Sequence, residues 1–259
     1  MTAVSSAVKF SVVTVTYNNH SGLSETAKNV LGQDFGDYEW IVIDGGSTDG
    51  TSAFLNGLED SNIKWISEPD KGIFDAMNKG IRLAVGEYCI FMNAGDLFAN
   101  PSVLRDVAEA IGTERPTLVY GDACEFAGSQ IWKKPARSTR ANVYVMFTHH
   151  QAIFYRRDAL EAGYDLSYKF SADWALTVRI LRAPNVSVLK YSGDVCHFER
   201  GGVSQGDAHR SEINLEHWRI YRQESEMGLM LAALLWFAKT STNKVRRYFP
   251  RVYDRLRYS

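Results

Sequence analysis

Two acidic loops follow two apolar runs, and both have the make-up of a ligand site. Trp40-Ile41-Val42-Ile43 leads into Asp44-Gly45-Gly46-Ser47-Thr48-Asp49-Gly50, and Tyr88-Cys89-Ile90-Phe91-Met92 leads into Asn93-Ala94-Gly95-Asp96. Each run has the length of a buried strand, so each loop hangs from a strand's C-terminal end. That is the edge at which open parallel α/β sheets bind ligands. A carboxylate there can hold a nucleotide or a hard divalent cation. His149-His150-Gln151 adds two imidazoles that either line a pocket or pack in the core, and residue type alone leaves both open.

The order of elements positions these groups. Phe10–Thr16 is β-branched and reads as a central strand. Leu23, Ala27, Val30 and Leu31 recur at helical spacing, with Gly32 as a stop. Strands are expected at 38–43, 63–66 and 87–92, with helices between them, the first capped by Asp49 or Thr51. Asn100-Pro101 predicts a cap and a first helical residue, followed by Val103, Leu104 and Val107. This βαβαβαβα order up to about Ile111 argues for a parallel sheet with right-handed crossovers. After it the spacing predicts an antiparallel pair, 118–126 with 130–133, and strands at 151–155, 186–191 and 195–198. Helices are expected at 172–181 and 213–222.

Among 259 residues, 45% are hydrophobic and 23% charged, as in an ordinary globular chain, and the net charge of -1 carries no nucleic-acid footprint. The charge is unevenly placed: from Lys239 onward seven basic residues face Asp254 alone, leaving the rest acidic. Three cysteines without C-x-x-C spacing predict neither a disulfide framework nor a zinc site, and Cys89 reads as a buried small hydrophobe. Residues 1–9 lack the apolar core of a signal peptide, which predicts a cytosolic protein.

The motifs together resemble family 2 glycosyltransferases of the GT-A fold. The resemblance rests on Val13–Asn18, Ile43–Thr51, Glu68–Gly80, His149–Tyr155, Ser171–Trp174 and Gly201–Ser204, in that order over about residues 8–206. The block Glu68–Gly80 particularly resembles the branch that includes colanic-acid-type exopolysaccharide enzymes. The resemblance implies an α/β, Rossmann-like mixed sheet, mostly parallel in its N-terminal half, with a helical C-terminal extension. It implies a nucleotide-sugar half (8–111) and an acceptor half (112–206), with the extension at 207–259. The implied reaction is inverting transfer of a hexosyl or deoxyhexosyl group from a nucleotide-diphosphate sugar to a glycan or lipid-linked acceptor, in polysaccharide synthesis.

The resemblance also assigns roles. Asp173 is the expected catalytic base, because a single in-line displacement needs a proton acceptor opposite the leaving group. Thr14, Tyr17, Asn18, Asp44, Asp70, Lys71, Asp75, Asn93 and Arg200 are the expected donor-binding residues. Mn²⁺ or Mg²⁺ is the implied cofactor, held by Asp96 with His197 as a candidate second ligand. The family's metal motif is Asp-x-Asp, and here only its last acid survives in Asn93-Ala94-Gly95-Asp96. Gly201-Gly202-Val203-Ser204 is expected to close over the ligands.

Met227–Ala238 is a continuous apolar run, too short to span a bilayer, and the basic, aromatic tail follows it. This predicts peripheral membrane contact through 227–259 at the cytosolic face of the inner membrane, against packing on the domain or a homo-oligomer seam. Two rival readings follow from the same residues. The eroded acidic motif suits a non-catalytic, nucleotide-binding membrane scaffold. A sugar-phosphate nucleotidyltransferase would need a glycine-rich basic loop where Tyr17-Asn18-Asn19-His20 stands.

Overall fold

The structure, a computed structural model, describes residues 8–127, 130–199 and 209–248. The N-terminal half alternates β1 (Phe10–Thr16), α1 (His20–Leu31), β2 (Tyr38–Asp44), α2 (Thr51–Asn56), β3 (Ile63–Ser67), α3 (Ile73–Leu83) and β4 (Tyr88–Phe91). A short β5 (Leu97–Phe98) and α4 (Val103–Ile111) complete it. The second half holds β6 (Leu118–Ala127), β7 (Gln130–Lys134), β8 (Ile153–Arg156), α5 (Ala172–Arg182), β9 (Val188–Glu199), α6 (Arg210–Arg219) and α7 (Leu229–Tyr248). One sheet runs in the order β3-β2-β1-β4-β8-β6-β9-β5, with β7 on β6.

The first four strands in that order are parallel, and β8 joins β4 antiparallel. Side-chain alternation divides two cores. Val13, Val15, Ile41, Ile43, Cys89 and Phe91 face α3 and α5; Val12, Trp40, Val42, Tyr88 and Ile90 face α1 and α4. Both strand faces are covered, which is why these runs are continuously apolar rather than alternating. Gly80 of α3 lies where any β-carbon would strike Val13 Cγ1, so the glycine lets that helix sit close to β1.

The mixed sheet and the antiparallel β6–β7 pair follow the sequence expectation. Three details differ. The helix after Asn100-Pro101 begins at Val103, because the Asn100 carboxamide accepts the Ser102 N–H and hydroxyl and spends a turn before the helix starts. The strands expected at 186–191 and 195–198 are one strand, β9, whose register against β6 shifts beside Tyr120 and Asp122. Gln151 belongs to a 3₁₀ turn (His150–Ala152) that precedes β8. All three cysteines are buried and free.

The extension shares the domain's core. Ile220, Tyr221, Met227 and Ala232 are buried in the cluster that includes α5. Among the described residues, no helix is long and apolar enough to cross a membrane.

Candidate functional site

Asp44 is the last residue of β2 and pairs in register with Thr16 on one side and Ser67 on the other. The residue is fully buried, and its carboxylate accepts the Ser67 hydroxyl at 2.6 Å and the Ser47 N–H at 3.2 Å. Asn18, at φ 48°, joins the same loop: its N–H donates to Ser47 Oγ at 2.7 Å and its carboxamide oxygen accepts the Thr48 N–H at 2.9 Å. Tyr17 stands exposed beside this loop. A β-carbon at Gly45 would lie 2.6 Å from Asp70 Oδ2 and 3.3 Å from the Tyr17 ring, so Gly45 brings both against the loop. Thr14 does not join them. It is fully buried, and its hydroxyl accepts the Trp40 indole N–H at 2.9 Å, so it braces β1 against β2 beneath the shelf instead of lining it.

Asp70, Lys71 and Asp75 form the turn into α3. Asp70 accepts the Gly72 N–H at 2.8 Å, and Asp75, in the first helical turn, accepts the Lys71 N–H at 3.0 Å. The Lys71 side chain is left exposed. Lys79, readable in sequence as a solvated helix charge, is buried instead; its ammonium donates to Pro69 O and pairs with Glu68, both at 2.9 Å, and so anchors this turn.

The second acidic loop is braced by α1. Asn19 caps that helix and donates to Ala94 O at 3.0 Å, while the Thr26 hydroxyl donates to Asp96 O at 2.9 Å and accepts the Gly95 N–H. Asp96 is thereby held 8% exposed, and burial pushes its carboxyl up to about 6. Its Oδ2 accepts the Asn93 N–H at 3.0 Å and the Gln151 carboxamide N–H at 3.1 Å. Because the Gln151 amide must turn its nitrogen to this carboxylate, its oxygen is left buried without a partner, as is Asn93 Oδ1.

One carboxylate and two unpaired amide oxygens fit a hard cation in kind, as an all-oxygen donor set of low charge. His197 lies on β9 opposite Leu97, one position along from Asp96. Among the described residues no three His, Cys, Asp or Glu side chains gather as a cation cage.

Asp173 occupies the first turn of α5, behind Ser171. Burial raises its carboxyl, and the His150 imidazole, 3.7 Å away through Nδ1, pulls the other way. His150 itself is pushed down by burial, and its Nε2 is buried without a partner. The neighbouring His149 turns elsewhere: its Nε2 lies 2.7 Å from the Lys134 ammonium and 3.4 Å from Glu125, and burial holds it down to about 3. The two histidines are therefore resolved into a structural one and one facing the site. Consecutive side chains thus reach two acids, His150 toward Asp173 and Gln151 onto Asp96.

The extension fixes the approach to Asp173. Glu216 of α6 accepts the Lys169 and Phe170 N–H groups at 2.6 and 3.1 Å, immediately before α5. Trp174 donates to Asn142 O at 2.6 Å, and its ring meets His217 and Tyr221 edge-on. Arg200 and Gly201–Ser204 lie outside the described residues.

Sequence reasoning did not single out Ser47, Ser67, Gln151 or Glu216. Ser47 had a local signal, an Asp three residues before it in a glycine turn. Ser67 and Glu216 act across the fold and carry no such signal.

The sequence profile described as "Glycosyl transferase family 2" matches residues 11–182. An uncharacterized glycosyltransferase of Mycobacterium tuberculosis is 33% identical over 209 residues, covering 77% of this chain and 78% of the relative. A PGL/p-HBAD biosynthesis glycosyltransferase of Mycobacterium bovis is 31% identical over 238 residues, covering 88% and 90%. Among solved structures, S. aureus TarS 1-349 in complex with UDP superposes with a TM-score of 0.65 at 21% identity, over 83% of this chain and 65% of that one. Mannosyltransferase PcManGT from Pyrobaculum calidifontis, in complex with GDP-Man and Mn²⁺, gives 0.59 at 17% identity, over 85% of this chain and 64% of that one. The GT-A fold, the matched span and the two mycobacterial relatives agree, and the chain belongs to glycosyltransferase family 2.

Proposed function

We propose that this glycosyltransferase transfers a sugar, with inversion, from a nucleoside-diphosphate donor to a hydroxyl of a glycan or lipid-linked acceptor in cell-surface polysaccharide synthesis. The observation that carries the reading is the dipeptide His150-Gln151, which reaches Asp173 with one side chain and Asp96 with the next. A single displacement needs one group on the acceptor side and another on the leaving-group side, close but distinct.

Asp173 takes the acceptor proton. Its raised carboxyl makes it a stronger base than a solvated carboxylate, and its place at the start of α5 fixes its direction. Asp44, Asn18 and Ser47 present a prearranged loop to the base and ribose, with Tyr17 available for stacking and Asp70 beside it. Asp96, with Asn93 and Gln151 oxygens and His197 as a further candidate, would hold Mg²⁺ or Mn²⁺. When bound, that ion neutralises charge on the departing diphosphate. Lys71, exposed at the α3 turn, and Arg200 are the cations assigned to the phosphates, and Asp75 keeps the Lys71 backbone in place.

The resemblance of Glu68–Gly80 supports the exopolysaccharide branch, and the apolar-then-basic extension supports work at the cytosolic face of the inner membrane through 227–259. A thermal-shift panel of nucleoside diphosphates, with and without Mn²⁺, tests the core of this. Mn²⁺-dependent stabilisation by one nucleoside diphosphate is expected, since a ligand of the native state raises stability by mass action. Folded protein that responds to none of them would overturn it.

A further inference from the structure

Helix α7 is inside out. Met230, Leu234 and Phe237 fall at i, i+4 and i+7 and are 88, 65 and 67% exposed, with Leu229 and Leu231 exposed beside them. On the other side Ala232 is fully buried, Leu235 packs on the core, and the Lys239 ammonium sits 4.4 Å from the centre of the Trp174 ring. At about 100° per residue these two sets lie roughly 180° apart. A surface helix normally turns its apolar stripe inward. Here the stripe faces out while a lysine faces in, and three adjacent large apolar side chains mark a contact surface.

The charge that follows selects the partner. Lys244, Arg246, Arg247, Arg251, Arg255 and Arg257 come after the stripe with Asp254 as the single acid. A second copy of the chain would bring the same positive tail to the contact, and like charges would oppose it. An anionic lipid surface complements both features, apolar stripe to acyl boundary and basic tail to headgroups.

We propose that the Met230–Leu234–Phe237 face of α7 docks in the interface of an anionic bilayer and that the docked helix backs the catalytic base. The inner face of the same helix touches Trp174, the residue after Asp173, and α6 holds the backbone before it through Glu216. One helix therefore separates the lipid-facing stripe from the helix that carries the base. That arrangement brings Asp173 to acceptors anchored in the membrane. The role of Asp173 rests on the transferase reading; the docking does not.

The test is co-sedimentation of the full chain with vesicles of phosphatidylcholine alone and with added phosphatidylglycerol. The parent is expected to bind the anionic vesicles more tightly and to be released by salt. Met230→Ser/Leu234→Ser/Phe237→Ser is expected to lose at least roughly 100-fold of that partition, and Phe237→Ser alone about tenfold. Both should keep the parent's circular-dichroism spectrum and cooperative melt, which report an intact domain. Asp173→Asn should bind vesicles as the parent does; if it also keeps full transferase turnover, the base assignment falls and the docking stands. No binding of the parent to anionic vesicles would overturn the proposal. So would undiminished binding by the triple variant, or a parent dimer that the triple variant abolishes.

Discussion

Asp44 and Asp173 are both poorly exposed carboxylates, and their surroundings differ. Asp44 is satisfied by the chain itself, with Ser47 and Ser67 donating to it and Asn18 closing the loop in front. Around Asp173 and Asp96, by contrast, His150 Nε2, Gln151 Oε1 and Asn93 Oδ1 are all buried without partners. A buried acceptor without a donor costs about 1–3 kcal/mol. The first region is a finished shelf, which on the proposed reading a nucleotide meets without rearrangement. The second leaves buried acceptors that a ligand's donors or a cation would satisfy. Under the proposed function this contrast would separate binding from chemistry, with preorganisation where the donor is gripped and unmet demand where charge develops.

The largest effect expected from this contrast is at Asp173. Asp173→Asn keeps the shape and removes the proton acceptor, so kcat should fall about 1,000-fold with the donor KM nearly unchanged. Steady-state kinetics reads the split, and a rise in KM without a fall in kcat would place Asp173 with the shelf. Asp96→Asn comes next. It should cost on the order of 100-fold in turnover and should abolish the Mn²⁺-dependent part of the thermal shift with the nucleoside diphosphate that stabilises the parent. If the metal-dependent shift survives, Asp96 is not the ligand.

Asp44→Asn inverts the pattern. The serine hydroxyls can rotate to serve an amide, so the fold should hold. Donor KM should rise about tenfold at near-parental kcat, because the loop that the carboxylate holds is loosened where it would meet substrate and transition state alike. Tyr17→Ala is milder, a few-fold in donor KM, as expected for one exposed stacking ring. A kcat effect at either position larger than the KM effect would break the comparison between shelf and recess.

The framework of both regions was legible in the sequence. The runs before Asp44 and Asp96, the α/β order and the place of Asp173 at a helix start all rest on local spacing. The fold follows them, including a β1 of the expected span and a β2 extended to Asp44. Thr14, expected at the donor by resemblance, is buried instead: its hydroxyl serves Trp40 on the next strand, a contact that no local spacing shows. Gln151 and Glu216 were illegible as site supports for the same reason. They act on Asp96 and on Lys169–Phe170 from 55 and about 47 residues away, and neither has a local pattern. The boundary expected at 206/207 hides the extension's part in the recess, since α6 and α7 share the core of α5.

That backing makes a smaller, pH-dependent prediction. His217 packs edge-on to Trp174, and burial pushes its imidazole down to about 2, with Lys239 and Arg210 acting in the same direction. Above about pH 6.5 it is neutral in both folded and unfolded chains and contributes nothing to pH dependence. Below that the unfolded chain takes up a proton that the folded one refuses until near pH 2, so stability falls as pH drops through this window. The limit is about 1.4 kcal/mol per pH unit, and water near a partly exposed ring reduces it. His217→Phe removes this titration while keeping an aromatic edge on Trp174. Urea midpoints measured from pH 7 to 4.5 should therefore fall less steeply in the variant than in the parent. Parallel slopes would mean that His217 takes its proton in the folded state, and that the wall behind the base is wetter than its packing implies. A flatter slope would show that the packing around Trp174 keeps water away from His217.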